Sequence, residues 1–116
     1  MPRLMSVALT EEAVRDRRKT VTRRLGWKFL KPGDRLILCP QTRGVSREDR
    51  VDLAEVEVVD VRREPLRAIE NYGSEECNRE GFVGFSPEMF IQFFCSEVRG
   101  VGRDTPVTRI EWRYLE

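Results

Sequence analysis

The chain has 116 residues, 40% of them hydrophobic and 35% charged, which favours one globular domain over residues 1–116 and excludes a disordered chain. Its 21 Lys/Arg and 20 Asp/Glu give a net charge of +1, and the absence of histidine excludes every Ser-His or Cys-His mechanism. No apolar run approaches the roughly 18 residues of a membrane span, and the N-terminus lacks the apolar core of a secretory signal. We therefore expect a cytoplasmic protein without a membrane partner.

The N-terminal quarter is predicted to contain a strand, a short helix and a second strand. Residues 3–9 fit a strand, and Thr10 is a suitable N-cap for a helix over residues 11–17. The β-branched run at residues 20–22 then begins a strand. Because side chains alternate along a strand, Thr22 and Arg24 should share a face opposite Val21. Lys19 can reach that face only from the bend after the helix.

The middle of the chain reads as turns and strands. Pro32 and Gly33 mark a turn before a short apolar strand at residues 35–39, and residues 40–50 read as an exposed connection. Residues 51–61 form the longest predicted strand. Its apolar alternation slips near Val58 and Val59, which predicts a β-bulge or a sharp curl, as in a small closed barrel.

The last third is predicted to add short helices and a closing strand. A helical turn at residues 65–69 and a helix at residues 75–80, ended by Gly81, precede a longer helix with Ser86 as its N-cap. The longer helix carries an apolar stripe that should fill the core: Met89, Phe90, Phe93, Phe94 and Val98. The final strand, residues 105–115, places Ile110, Trp112 and Tyr114 on one face. This order favours an α+β domain around a small curled sheet or barrel.

Charge is concentrated near the N-terminus. Residues 3–31 hold nine Lys/Arg against three acids, a net charge of +6, whereas the remaining chain carries −5. The densest stretch, residues 17–24, has a composition unsuited to a core. It fits either a phosphate-attracting surface or a solvated arginine face paired with acidic residues. In the first case Arg17, Arg18 and Arg23 would be rim charges that steer phosphates.

Metal and redox chemistry receive little support. Cys39, Cys77 and Cys95 are widely spaced, without a CxxC pair, and a zinc site would need all three plus a carboxylate. Buried reduced thiols are the better interpretation. We expect no metal and no cofactor.

Four segments together resemble the ASCH domain family, whose pseudobarrel fold is related to PUA domains. They are the stretches at residues 19–24 (KTVTRR), 30–34 (LKPGD), 55–58 (EVEV) and 79–82 (REGF). The resemblance covers nearly the whole chain from Lys19 onward. It implies a PUA-like α+β fold, a small curled β-barrel with short flanking helices. It also implies a cleft that faces RNA, a nucleotide or a modified nucleoside.

One branch of this family resembles a small amidohydrolase that removes acyl groups from the exocyclic nitrogen of cytidine. Transferred to matching positions, its working set would be Lys19, Thr22, Arg24 and Glu80. Amide deacylation needs a nucleophile, a proton carrier and a cation for the developing oxyanion. Thr22 could supply the first, Lys19 and Glu80 the second, and Arg24 the third.

Three functions therefore remain open. The first is recognition of RNA, a nucleotide or a nucleoside by the basic cleft, with Trp27 or Phe82 stacking on a base. A core position for Trp27 is an equal alternative. The second function is deacylation of N-acylated cytidine in the same cleft, and the third is an adaptor whose basic face binds a protein.

Overall fold

A computed structural model describes residues 2–115; Met1 and Glu116, the two ends of the predicted domain, lie outside the described residues. The described chain forms five strands, three α-helices and two 3₁₀ turns. In chain order these are β1 (Arg3–Ser6), a 3₁₀ turn (Ala8–Thr10), α1 (Glu11–Arg15), β2 (Val21–Arg24), β3 (Arg35–Cys39), β4 (Ala54–Pro65), a 3₁₀ turn (Leu66–Asn71), α2 (Ser74–Glu80), α3 (Pro87–Glu97) and β5 (Pro106–Tyr114).

The strands form one mixed sheet in the order β1-β3-β4-β5-β2, curled into a half-barrel. β1 pairs with β3 in parallel, and the other neighbouring pairs are antiparallel. β1 and β2 are therefore the two edge strands, although they are close in sequence. The predicted α+β fold around a small curled sheet is confirmed.

The predicted bulge lies in β4. Val58 pairs with Trp112 and Asp60 with Glu111, so the register shifts between them and Val59 is left out of the pairing. Val58 is buried, whereas the Val59 side chain is 41% exposed. An extra residue of this kind bends the strand and increases its twist, which explains how a twelve-residue strand follows the curl of the sheet.

Two apolar clusters fill the molecule. The first lies inside the curl, where buried residues of the sheet meet α1. Its buried members are Met5, Val7, Val14, Leu30, Leu36, Leu38, Ala54, Val56, Val58, Ile110 and Trp112. The second lies beneath α3 and consists of Leu66, Ile69, Cys77, Phe90, Ile91, Phe94 and Val107.

α3 begins where the sequence predicts. Ser86 accepts a hydrogen bond from the Met89 amide at 3.2 Å and caps the helix. Phe90 and Phe94 are buried as expected. The prediction that Met89 is a core residue is wrong, since Met89 is 48% exposed and does not belong to the second cluster.

The N-terminal region differs in detail from the prediction. β1 ends at Ser6, and Thr10 does not cap α1 with its side chain. Thr10 is instead buried, and its methyl group packs against Gly81, at the end of α2. Among the described residues, no helix has the length and apolar character needed to cross a membrane.

Candidate functional site

A cleft of about 320 Å³ opens beside the two edge strands of the half-barrel. The segment from β1 into the first 3₁₀ turn lines one side, and β2 with the preceding bend supplies basic and hydroxyl groups. The end of α2 and one face of α3 complete it. The polar lining includes Lys19, Thr22, Arg24 and Glu80, and the aromatic lining consists of Phe82, Phe90, Phe93 and Phe94.

Lys19 lies in the bend between α1 and β2, and its backbone is held from two directions. Its amide donates to the Ala13 carbonyl at 3.2 Å. Its own carbonyl accepts hydrogen bonds from the Trp112 indole, at 3.0 Å, and from the Tyr114 hydroxyl of β5. The geometric requirement on Lys19 is therefore met: the bend carries its side chain into the cleft.

The Lys19 amine is enclosed by protein. The residue is 2% exposed, and Nζ donates to the Glu80 carbonyl at 2.6 Å and to Glu80 Oε1 at 3.2 Å. Burial lowers the pKa of Lys19 to about 8, because desolvation and the charges of Arg24 and Arg23 outweigh the attraction of Glu80. A substantial fraction of this amine is therefore neutral near pH 8 and can accept a proton.

Thr22 and Arg24 lie together on the cleft side of β2, as alternation predicts. Arg24 Nε donates to Thr22 Oγ1 at 3.1 Å, and Nη2 donates to the Ser6 carbonyl at 2.8 Å. Because the Thr22 oxygen already accepts from Arg24, its own proton is directed to another acceptor. Burial lowers the pKa of Arg24 from its ordinary value, partly offset by Glu80.

Glu80 ends α2 and joins two cations. Lys19 contacts Oε1, while Arg23 Nη1 donates to Oε2 at 3.0 Å. All three residues are at most 3% exposed. Arg23 therefore occupies the interior at the base of the cleft, which differs from the rim position expected for a phosphate-steering charge. The reason is strand alternation, which turns Arg23 to the Val21 side of β2, where the carboxylates of α2 lie.

Three of the other predicted ligand-binding residues do not line this cleft. Arg17 and Arg18 are exposed, and Arg18 forms an ion pair with Asp16 at 3.3 Å. Trp27 packs against the first apolar cluster, with its ring centroid 5.4 Å from that of Phe29. Its position agrees with the core alternative. Steering of phosphates by Arg17 and Arg18 stays a prediction.

Sequence reasoning missed Glu76 and Arg109, both buried behind Glu80. Arg109 Nε donates to Glu76 Oε2 at 2.6 Å, and Arg23 Nη2 donates to the same oxygen at 2.7 Å. Burial alone would raise the pKa of Glu76, but the two arginines hold it below its ordinary value. One signal pointed to Glu76, which precedes Glu80 by four residues and so shares its helix face.

Most of the aromatic lining was also missed, because Phe90, Phe93 and Phe94 were assigned to the core, whereas Phe82 was predicted as a residue that could stack on a base. Phe82 and Phe93 are only half-buried, and their ring centroids lie 5.2 Å apart. Phe90 and Phe94 are buried beneath them. The stripe of α3 therefore serves the core and the cleft together. Within residues 2–115, no cluster of three His, Cys, Asp or Glu could hold a metal ion.

No family model and no curated protein matches the chain, but solved structures do. The ASCH structure from Zymomonas mobilis covers 95% of this chain and 65% of its own, with 15% identity and a TM-score of 0.62. The match to the ASCH domain from Lactobacillus crispatus covers 97% of this chain and 78% of that domain's chain, with 12% identity and a TM-score of 0.64. The match to a protein from Enterococcus faecalis covers 99% of this chain and 76% of that protein's chain, with 14% identity and a TM-score of 0.64. This chain has an ASCH-type fold.

Proposed function

We propose that the protein recognises a single nucleoside or nucleotide unit in the cleft. The observation that carries this proposal is the pairing of an aromatic lining with a polar one in a small space. Phe82 and Phe93 offer ring faces on which a base can stack, a contact worth roughly 1–3 kcal/mol per base. Arg24 and Thr22 offer hydrogen bonds for a base edge or a sugar. A cleft of about 320 Å³ is at the small end of ligand sites, which favours one unit over a length of RNA.

The binding test compares cytidine, N-acetylcytidine and a short single-stranded RNA by calorimetry at 50 and 200 mM salt. We expect nucleoside affinity to change little with salt, because neither nucleoside carries a phosphate charge. RNA affinity should fall with a slope near the number of phosphates neutralised. Flat salt dependence for RNA would remove Arg17 and Arg18 from any role in phosphate attraction.

A matched pair of phenylalanine variants locates the binding. Phe93→Ala should weaken nucleoside binding by roughly 1–3 kcal/mol, since a stacking surface is lost. Phe29→Ala removes a ring that is 53% exposed and lies outside the cleft, so it should leave affinity unchanged. Equal losses in both variants would contradict binding in this cleft.

Deacylation of an N-acylated cytidine is a second candidate, favoured by the Lys19 amine with its pKa of about 8 in the same cleft as Thr22. In this reaction Thr22 Oγ1 attacks the amide carbonyl carbon while neutral Lys19 accepts the hydroxyl proton. The C–N bond then breaks, and Lys19 returns the proton to the departing exocyclic nitrogen. The acyl group is left as an ester on Thr22, and water hydrolyses that ester to a carboxylic acid and regenerates the hydroxyl.

Arg24 and Glu80 support this chemistry by their contacts. Arg24 Nε donates to the attacking oxygen and stabilises negative charge as its proton leaves. Glu80 holds the Lys19 amine at the base of the cleft and stabilises its protonated form. The charge of Glu80 raises the pKa of Lys19 and that of Arg24 lowers it, a balance that suits a group that must both accept and release a proton.

The enzymatic test follows release of cytidine from N-acetylcytidine as a function of pH. We expect kcat/KM to rise through about pH 8, because only the neutral Lys19 amine can accept the Thr22 proton. Thr22→Val, which keeps the shape of the side chain but removes its hydroxyl, should lower the rate at least about a hundredfold. Thr42→Val makes the same change outside the cleft and should leave the rate unchanged. If the wild-type protein releases no cytidine above buffer, deacylation fails while the binding proposal is still tested separately.

A further inference from the structure

Behind the cleft, five residues of alternating charge extend into the protein: Lys19, Glu80, Arg23, Glu76 and Arg109. Each of the five residues is at most 3% exposed. Lys19 contacts Glu80, Glu80 contacts Arg23, Arg23 contacts Glu76, and Glu76 contacts Arg109. The roles considered above use only the first two of these residues, so three buried charges are left without an explanation.

The contacts divide the two oxygens of Glu80 between different partners. Oε1 accepts from Lys19 at 3.2 Å, and Oε2 accepts from Arg23 Nη1 at 3.0 Å. The other terminal nitrogen of Arg23, Nη2, donates to Glu76 Oε2 at 2.7 Å. Its Nε is buried without a hydrogen-bond partner in the described part of the chain. The two carboxylates therefore orient the Arg23 guanidinium plane, and its Nε makes no hydrogen bond within the described residues.

Arg109 fixes the far end of this arrangement. Its Nε and Nη2 donate to the two oxygens of Glu76, at 2.6 and 3.3 Å. The Arg109 guanidinium also lies 4.8 Å from the Tyr72 ring centroid, and that of Arg23 lies 5.2 Å from the same ring. Glu76 is thereby immobilised between two arginines that are themselves packed against one aromatic side chain.

We propose that Arg23 and Glu76, anchored by Arg109, are positioning residues that hold Glu80 with one oxygen directed at Lys19. The proposal rests on the function proposed above for its catalytic consequence, but its geometric part concerns Lys19 alone. Stability does not account for such an arrangement, because a buried ion network can often be replaced by apolar residues without loss. A fixed orientation of one carboxylate oxygen is what these contacts supply.

The charges that face Lys19 come from every element around it. Glu80 approaches the amine from α2, Arg23 and Arg24 approach it from β2, and Glu97 lines the same cleft from α3. The Tyr114 hydroxyl of β5 donates to the Lys19 backbone carbonyl. Removing the negative charge of Glu76 leaves Arg23 and Arg109 less compensated. The added positive potential disfavours protonation of Lys19.

The first test measures titration of Lys19 itself, by NMR of its side-chain ε-carbon, in the full chain without substrate. Glu76→Gln should shift the titration of Lys19 to lower pH. Glu75→Gln removes the same charge from the adjacent, exposed position of α2 and should leave the titration unchanged, because solvent screens that position. An unchanged Lys19 in Glu76→Gln, or an equal shift in Glu75→Gln, overturns the proposal.

The second test keeps the charge and removes the bridge. Arg23→Lys preserves the positive charge but presents a single point donor in place of two separated terminal nitrogens, so Glu80 and Glu76 cannot both be held in the same geometry. We expect kcat for N-acetylcytidine to fall about tenfold to a hundredfold with KM nearly unchanged. A wild-type rate in Arg23→Lys would overturn the positioning role. If the wild-type protein has no such activity, deacylation fails, and the titration of Lys19 in Glu76→Gln still decides the geometric claim.

Discussion

The Lys19 side chain carries a titratable amine and is almost completely shielded from water. Burial favours its neutral form, and the contact with Glu80 favours the charged one. The balance leaves the pKa at about 8, well below the ordinary value of 10.5. A lysine with this property in the same cleft as a threonine hydroxyl is typical of a site that transfers protons, and less typical of a surface that only attracts phosphate.

The lowered pKa of Lys19 predicts a particular dependence of stability on pH. Between about pH 8 and 10.5 the unfolded chain binds a proton at Lys19 that the folded chain has lost, so the free energy of unfolding should rise with pH in that window. Below pH 8 both states are protonated, and the cost of burying the charge is fully present. Relative to Lys19→Met, the wild-type protein should gain about 2 kcal/mol from pH 7.5 to 10.

Urea titrations of both proteins at the two pH values measure this gain. The comparison with Lys19→Met cancels the tyrosines and other groups that titrate in the same range. A constant difference between the two proteins would contradict a lowered pKa for Lys19.

At the scale of elements, the joint between α2 and α1 positions Glu80. Gly81 ends α2 with a φ of 99°, in the left-handed region that favours glycine. A Cβ at this position would lie 3.0 Å from the Thr10 methyl group and 3.1 Å from the Ala13 Cβ. The absence of a side chain at residue 81 is therefore what lets α2 approach α1 and brings Glu80 to Lys19.

We predict that Gly81→Ala destabilises the protein by roughly 2–4 kcal/mol, the sum of backbone strain and overpacking. Gly84→Ala is the matched control, since Gly84 also has a positive φ, 87°, but nothing lies within 4 Å of the added Cβ. It should cost only about 1–2 kcal/mol. Thermal or urea unfolding measures the stability of both variants. Equal losses of stability would show that backbone strain alone, without overpacking, accounts for the effect of Gly81→Ala.

The elements could mostly be predicted from sequence, because turns, caps and apolar alternation are local signals. The bulge beside Val59 and the Ser86 cap were both readable in this way. The burial of Arg23 and Arg109 was not, since strand alternation says which residues share a face but not which face meets another element. The opposing carboxylates belong to α2, more than 50 residues from Arg23 in sequence.

The residues that line the cleft were likewise only partly predictable from the sequence. The resemblance selected Lys19, Thr22, Arg24 and Glu80, and the structure brings all four to one cleft. It gave no indication that Phe90, Phe93 and Phe94 of α3 line this cleft, because an apolar helix face that lines a cleft and one that fills a core have the same spacing. Partial exposure of Phe93 is a property of the packing of α3 and cannot be read from the stripe itself.

At the scale of the whole molecule, stability is expected to be uneven. β4 and β5 pair from Val56 to Pro65 and carry several of the buried residues of the first apolar cluster, among them Val58 and Trp112. The segment of residues 40–53 has no regular structure and is mostly exposed. Hydrogen exchange should therefore be slowest at the amides of Val58 and Trp112, and fast over residues 40–52, since the Leu53 amide already donates to the Leu38 carbonyl of β3.

Native-state exchange followed by NMR checks this order. The amides of Val58 and Trp112 should exchange only through global unfolding, with a free energy equal to that from urea titration. Protection of the amides of residues 40–52 at the same level would contradict it.

The sheet order has a consequence for how a ligand enters. β1 and β2 are the two free margins of the half-barrel, and among the described residues no backbone hydrogen bond joins them. The Arg24 guanidinium bridges the two strands, because its Nη2 donates from β2 to the Ser6 carbonyl of β1. Rotation of the Arg24 side chain would break this contact without breaking any of the strand pairings. Because Ser6 and Arg24 both line the cleft, we expect loss of this contact to widen the cleft entrance while the strand pairing is kept.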